Sequence, residues 1–530
     1  MENVVYKIGS ELPETIFGKK YSEGYGTLSF NIPMMEENPD YSLLFHIYID
    51  VSGSMSDYVD YTSRRTKMML LKHALKNILL YFAEKCENVY VQVKGFDNVI
   101  HNYIDTIHIN KTNVQELLGK IDPIEPMNST NIELALNSLN DELEKEYFEI
   151  PIENRVAILL TDGEPTEGLR NTCKLVDIVK QKCSHHFIGL GNQHNGLLMH
   201  RLGHKNIYTT NWYINDIEHT GDVYGEILFN ELHRVYYKST IKVVGGKVYD
   251  YIKGEFVDNL VIGSLYAETT KNYHVMIEDE KLFNIVISGR QKDGTLLHTN
   301  AEKKSGEFIE IAKQYIRLCV QKLMFIIREE TAEQESHTQT IFNRAQMFEP
   351  YYNDAFNNNI NKKTQKDINS LLVFIKSFIK DHHLEDDVFM VELYKDVNVM
   401  KNSYGTRDTF KIVSGREDSQ GKQTAFNSAS QYEDDFDADD NVLPPKLQRD
   451  CSSAYRTPRR SDLMRGISDT INDSESKPVI HCDNTDPVTI LSLPHQTRLG
   501  LVNGSEKILQ RQIVNFADDK SYLESPEIIE

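Results

Sequence analysis

The sequence predicts an α/β fold: an open, mainly parallel, doubly wound sheet, then a small antiparallel β-domain, a helical region and a disordered C-terminal tail. Three observations carry this expectation. Apolar strands alternate with amphipathic helical stretches from Leu43 to about Leu232, the period becomes alternating after Tyr237, and regular periodicity disappears beyond roughly Val399. The expected divisions are an N-terminal segment over 1–39, an α/β domain over 40–235, a β-domain over 236–300, a helical domain over 301–399 and a tail over 400–530.

Leu43-Leu44-Phe45-His46-Ile47-Tyr48-Ile49 reads as a buried central strand. From Lys67 to Glu84, Met68, Leu71, Leu75, Ile78, Leu79 and Phe82 share one helical face, and Val89 to Val93 returns as a strand, which completes a βαβ unit. A helix over Asn131 to Leu143, a strand from Val156, a helix over Leu169 to Lys182, a strand from Phe187 and a helix around Ile227 to Leu232 continue the alternation. Thr240 to Val244 and Lys247 to Tyr251 flank Gly245-Gly246, which reads as a hairpin turn, and Tyr273 to Ile277 and Leu282 to Ile287 supply further strands. From about Glu302, Phe308, Ala312, Tyr315, Cys319, Leu323 and Ile326 are expected on one helical face, and Ile368, Leu371, Leu372, Ile375 and Ile379 on another.

A chain of 530 residues with 40% hydrophobic and 26% charged residues has the composition of globular protein spread over more than one core. Its formal net charge of −21 opposes contact with phosphate backbones, so nucleic acid is not an expected partner. The six cysteines are scattered without a CxxC pair, which fits reduced thiols in a cytoplasmic or nuclear setting. The first residues lack a basic region followed by an apolar stretch, and no uncharged run reaches the roughly 18 apolar residues of a membrane helix, so neither secretion nor a membrane span is expected. The tail carries an acidic run from Glu433 to Asp440, a short amphipathic patch around Ile508 to Phe516 and a Thr457-Pro458 dipeptide before two arginines, none of which specifies a fold.

Directly after the central strand come Asp50, Ser52 and Ser54, with Gly53 between the serines to let the backbone turn tightly. The carboxyl ends of central strands are where open α/β sheets bind ligands. Thr130, opening a helix, and Asp162, ending the next strand, are expected beside them. This is an all-oxygen donor set without sulfur or imidazole, suited to Mg²⁺, with Mn²⁺ or Ca²⁺ as alternatives. The bland alternative for Asp50-x-Ser52-x-Ser54 is a capped turn.

These residues, with Asn128-Ser-Thr130 and Thr161-Asp162-Gly163, resemble the metal-ion-dependent adhesion site of the von Willebrand factor A family, and all five family positions are present. The resemblance implies that the serines ligate directly, that the threonine and the aspartates ligate directly or through water, and that a partner Asp or Glu completes the shell. More weakly, Val261 to Glu268 and the order of β then helical segments resemble an intracellular subgroup with bacterial, plant ubiquitin-ligase and large-DNA-virus members. The chain departs from the ligases in lacking a Cys/His cluster with zinc spacing.

The implied function is an intracellular protein-binding adaptor rather than an enzyme, because no nucleophile–base pair or phosphate loop is visible. A non-RING subunit of a ligase-like or other enzyme complex and a structural protein of a viral or cellular assembly remain the alternatives. His185-His186 and His200 with His204 are expected to be core or surface histidines, since Gly203 interrupts helical pairing of the latter two. Gly189-Leu-Gly191 lacks the third glycine of a dinucleotide loop and reads as a strand-end turn, and the Asn128-Ser-Thr130 sequon reads as coincidence.

Overall fold

The computed structural model describes residues 1–9, 24–33, 42–60, 65–146, 150–180, 183–190, 194–206, 208–214, 220–267, 269–291, 294–342, 361–406 and 408–423. The amphipathic patch around Ile508 to Phe516, the acidic run and Thr457 all lie outside these residues. In chain order, β1 (Glu2–Ile8) and β2 (Tyr25–Ile32) precede the central strand β3 (Leu43–Asp50). A small ribbon of β4 (Tyr58–Asp60) and β5 (Arg65–Thr66) follows, then β6 (Val89–Phe96), β7 (Ile100–His108), β8 (Arg155–Thr161), β9 (Ser184–Leu190) and β10 (Thr209–Ile214).

The α/β domain is a sheet in the order β10-β9-β8-β3-β6-β7, parallel except for β7, which runs antiparallel to β6. Every residue of β3 is buried, as a strand covered on both faces requires. Side-chain alternation divides it: Leu43, Phe45, Ile47 and Ile49 face the helices Lys67–Lys85, Val114–Ile121 and Thr220–Leu232. Tyr48 packs on the other side with the helices Ile132–Glu144, Thr172–Ile178 and Gly196–Gly203. The expected helix over Leu169 to Lys182 is shorter, Thr172–Ile178, because Asn171 caps its start through Lys174 N–H.

Beyond it lie β11 (Arg234–Val244), β12 (Gly246–Asp250), β13 (Glu255–Val257), β14 (Asn259–Tyr266), β15 (Thr269–Ile277), β16 (Asn284–Gln291), β17 (Leu296–Asn300) and β18 (Glu302–Lys303). They form two sheets, β13-β12-β15-β2-β1-β18 and β14-β11-β16-β17, which share a core that includes Leu28, Phe30, Ile241, Val243, Val275 and Ile287. Two expectations are corrected here. The segment 1–39 is not separate from the β-domain, because β2 pairs along its length with β15 and β1 closes against β2, so the α/β domain is inserted between two strands of this sandwich. Gly245-Gly246 is not a hairpin turn, because β11 and β12 belong to different sheets. Gly245 has φ +71°, and a Cβ there would lie 2.8 Å from the Asp279 carbonyl oxygen, so the glycine lets the chain cross between sheets.

The helix Phe308–Phe342 packs with Lys362–Asp381, Val388–Ser403 and Thr409–Lys422 around Tyr315, Leu323, Leu371 and Val397. Helical structure thus continues past residue 399 to Lys422, where the polar composition had suggested a tail. A buried ion pair ties this stretch to the preceding helix: Arg416 pairs with Asp396 at 2.5 Å, both almost fully buried. Ile326 and Phe308 face outward instead of joining the core, and Ile327 takes the expected inward place, one helical turn after Leu323. Among the described residues, no helix is long and apolar enough to cross a membrane.

Candidate metal centre

The site is assembled where β3 and β8 end. After Asp50 the chain makes a short 3₁₀ turn, Gly53–Ser56, which keeps the Ser52 and Ser54 hydroxyls on one side, 3.1 Å apart. Two backbone bonds lock this turn to the loop that carries Thr130: Gly53 N–H donates to the Asn128 carbonyl and Met127 N–H to the Val51 carbonyl. Asn128 adopts φ +60°, a left-handed conformation that asparagine tolerates. Thr130 is held from its other side, its N–H donating to the Thr166 hydroxyl and its carbonyl accepting from the N–H groups of Thr166 and Glu167.

The five residues expected from the sequence converge. The Ser54 hydroxyl donates to Asp162 Oδ1 at 2.8 Å, which leaves its oxygen to accept from Ser52, so the two serines form a directed chain ending on the carboxylate. Thr130 joins through Gly163: a Cβ on that glycine would stand 3.4 Å from Thr130 Oγ1 and 3.7 Å from Ser54 Oγ. Gly163 thus borders the space the two hydroxyls share, at ordinary contact distance from both. Asp50, Ser52, Thr130 and Asp162 are buried and Ser54 is half-buried.

Charge decides what this space accepts. Burial and the neighbouring Asp162 carboxylate push Asp50 up to about 7, although hydrogen bonds from Ser52 and Thr161 oppose the rise. Two carboxylates this close and this deep leave a negative excess that a cation relieves. Oxygen donors alone, with hydroxyls as neutral partners, fit a hard dication of the Mg²⁺ type.

Three contributors were not among the donors expected from sequence. Thr161 donates its hydroxyl to Asp50 Oδ2 at 2.6 Å while Ser52 N–H donates to Oδ1, so both carboxylate oxygens are oriented from within the domain. Asp97, just after β6, accepts from Val99 N–H and from Asn128 Nδ2, and its carbonyl accepts from Asn131 N–H, which fixes the Thr130 loop. Burial would raise the Asp97 carboxyl, but these bonds and His101 outweigh it and hold it below its usual range. Lys67, the first residue of its helix, donates to Asp162 Oδ2 at 2.6 Å and lies 3.7 Å from the exposed Asp57. Nothing in the spacing of Lys67 from the motif marks it, because the β4–β5 ribbon returns it to the site.

Residues 45–164 match the family model described as von Willebrand factor type A domain. The chain carries a von Willebrand factor type A domain. Domains of this family commonly mediate protein interactions. The matched span includes every donor above, from Asp50 to Asp162. Among solved structures, the chain is similar to the ArnB paralog VWA2 from Sulfolobus acidocaldarius, with 14% identity and a TM-score of 0.45 over 79% of this chain and 98% of that one. It is also similar to a von Willebrand factor type A protein from Catenulispora acidiphila, with 12% identity and a TM-score of 0.41 over 78% and 91% of the two chains. The comparison with curated proteins found no match.

The histidines divide. His185 and His186 are buried in β9, His185 donating from Nδ1 to the Cys183 carbonyl and His186 lying 3.2 Å from Glu231, as core histidines do. His200 and His204 depart from expectation: the helix Gly196–Gly203 runs through Gly203, His204 caps its end, and the two rings stand with centroids 4.2 Å apart. Gly203 is required there by close packing, since a Cβ would lie 2.5 Å from the Asn211 backbone nitrogen.

Proposed function

We propose that the von Willebrand factor type A domain binds a protein partner through a Mg²⁺-class ion held by Asp50, Ser52, Ser54, Thr130 and Asp162, with a partner Asp or Glu completing the coordination. The observation that carries this reading is the convergence of five oxygen-bearing side chains, two of them carboxylates buried to 0% exposure, at the carboxyl end of the sheet. The ion supplies a positive centre for an incoming carboxylate. The chain's own residues do the rest. Ser52 and Ser54 align a hydrogen-bond chain onto Asp162, Thr161 holds Asp50, and Asp97 holds the loop that presents Thr130.

The role is binding rather than turnover, in an adaptor of a cytoplasmic or nuclear setting. Support comes from the donor set, in which the Ser54 and Thr161 hydroxyls are engaged by the two carboxylates that would hold the ion, with no histidine among them, and from the scattered cysteines. The test is Mg²⁺ titration of the full chain by calorimetry, followed by partner affinity with and without chelator. Binding of one Mg²⁺ that disappears in a Ser52→Ala, Ser54→Ala variant, and a partner Kd that weakens in chelator, are expected. Equal partner affinity in Mg²⁺ and chelator overturns the metal-capture mechanism.

A further inference from the structure

A second cluster lies at the contact between the α/β domain and the last helix, more than two hundred residues apart in sequence. His200 and His204 come from Gly196–Gly203 and its cap, and Asp418 comes from Thr409–Lys422, with one potential ligand atom from each lying within 4.8 Å of the others. The His204 Nδ1 is 2.8 Å from the His200 carbonyl oxygen, which can only accept, so Nδ1 carries the hydrogen. In the neutral ring, Nε2 is then a lone pair. It faces Asp418 Oδ1 at 2.7 Å. The His200 Nδ1 is likewise buried without a hydrogen-bond partner.

Two acceptors this close need a positive centre between them or a proton on the ring. We infer that His200, His204 and Asp418 form a second metal site, for an ion of the zinc class, which clasps the last helix to the α/β domain. Two imidazoles and one carboxylate are a nitrogen-rich set that suits Zn²⁺ and not Mg²⁺ or Ca²⁺, with water in the fourth position. The hydrogen bond from His204 Nδ1 to a backbone carbonyl is the outer support that metal-binding histidines use to fix their tautomer.

The surroundings bear on charge. Lys422 Nζ lies 3.9 Å from Asp418 Oδ2, a charge contact without a hydrogen bond, and Oδ1 is the oxygen that faces His204. Glu417, the adjacent carboxylate, is engaged by Arg328 at 2.8 Å. Phe410 packs its ring edge-on against His200 at 5.7 Å, so the same helix supplies both a ligand and an apolar wall.

The test uses the full chain, stripped with chelator, exchanged into buffer with excess Mg²⁺ to saturate the oxygen site, and titrated with Co²⁺ and then Zn²⁺. One equivalent of Co²⁺ should give the strong visible absorption of a four-coordinate ion, and Zn²⁺ should displace it. His200→Gln and Asp418→Asn should each weaken Co²⁺ affinity by roughly 10- to 100-fold or more. The Ser52→Ala, Ser54→Ala variant should leave it unchanged, which separates this site from the Mg²⁺-class one. No uptake, the faint spectrum of a six-coordinate ion, or an unchanged spectrum in folded His200→Gln overturns the inference. The wild-type titration decides the matter even if a variant does not fold, and absence of uptake would leave His204 and Asp418 as an imidazolium–carboxylate pair.

Discussion

The Lys67 ammonium lies 2.6 Å from Asp162 Oδ2, on the carboxylate whose other oxygen accepts from Ser54. A single side chain therefore brings positive charge to the centre proposed for a dication. The two cations compete for one carboxylate, and an ammonium about 5 Å from a divalent ion opposes it by roughly 3–7 kcal/mol at an effective dielectric of about 20–40, an upper figure that movement of the lysine side chain reduces. Lys67→Met should accordingly tighten Mg²⁺ binding by about tenfold or more. Calorimetric titration of the two proteins checks this, and weaker binding in the variant would mean that Lys67 orients Asp162 for the metal instead of competing with it.

Asp50→Asn should abolish Mg²⁺ binding and leave the domain folded. Asparagine keeps an acceptor for Ser52 N–H and a polar group toward Thr161, whereas alanine would leave both buried and unsatisfied. Removing one of two buried carboxylates relieves the burial penalty and, after it, the repulsion from Asp162, which together push Asp50 up to about 7. Stability measured in chelator should be unchanged or higher. A loss of several kcal/mol there would assign Asp50 a structural role.

A chain lacking residues 1–39 should lose the β-sandwich. Tyr25, Leu28, Phe30 and Ile32 are all buried, and β2 lies between β15 and β1. At about 1.5–3 kcal/mol per buried large side chain, their loss is comparable to the roughly 5–15 kcal/mol of a whole domain's stability. Soluble, cooperative unfolding of the shortened chain with an unchanged midpoint would contradict the placement of β2.

Acid should destabilise the α/β domain through two core histidines. Burial lowers His46 and His185 from the ordinary 6.5 to about 4 each. Between those values the unfolded chain binds more protons than the folded one, so their contribution is complete above about pH 6.5 and is lost as pH falls toward 4. His185→Leu should reduce the slope of unfolding free energy against pH in this window by about 1.4 kcal/mol per pH unit, one proton's worth. Denaturant unfolding at a series of pH values measures it, and an unchanged slope would mean that His185 is not the group that titrates.

The sequence by itself marked β3, β6, β8 and β9, the helices that begin at Lys67 and Ile132 and the one that ends at Leu232, and the five oxygen donors proposed for the centre, but not β7, β10 or the helices Val114–Ile121 and Gly196–Gly203. The physical reason is that these are local signals: the apolar runs of β3 and β8 and the 3.6-residue period after Lys67 act within one element, and the donors stand at element ends that this topology always brings together. Only the tertiary structure decided that β1 and β2 belong with strands more than two hundred residues later, that Gly245 crosses between sheets, and that Lys67, Thr161 and Asp97 complete the electrostatics of the site. The same holds for His200, His204 and Asp418, and for the buried Arg416–Asp396 pair that makes a polar stretch part of a helical core. Such contacts leave no period in the sequence, because a charged or imidazole side chain looks the same whether solvent or a distant partner satisfies it. Which of the two applies is settled only when the whole chain packs.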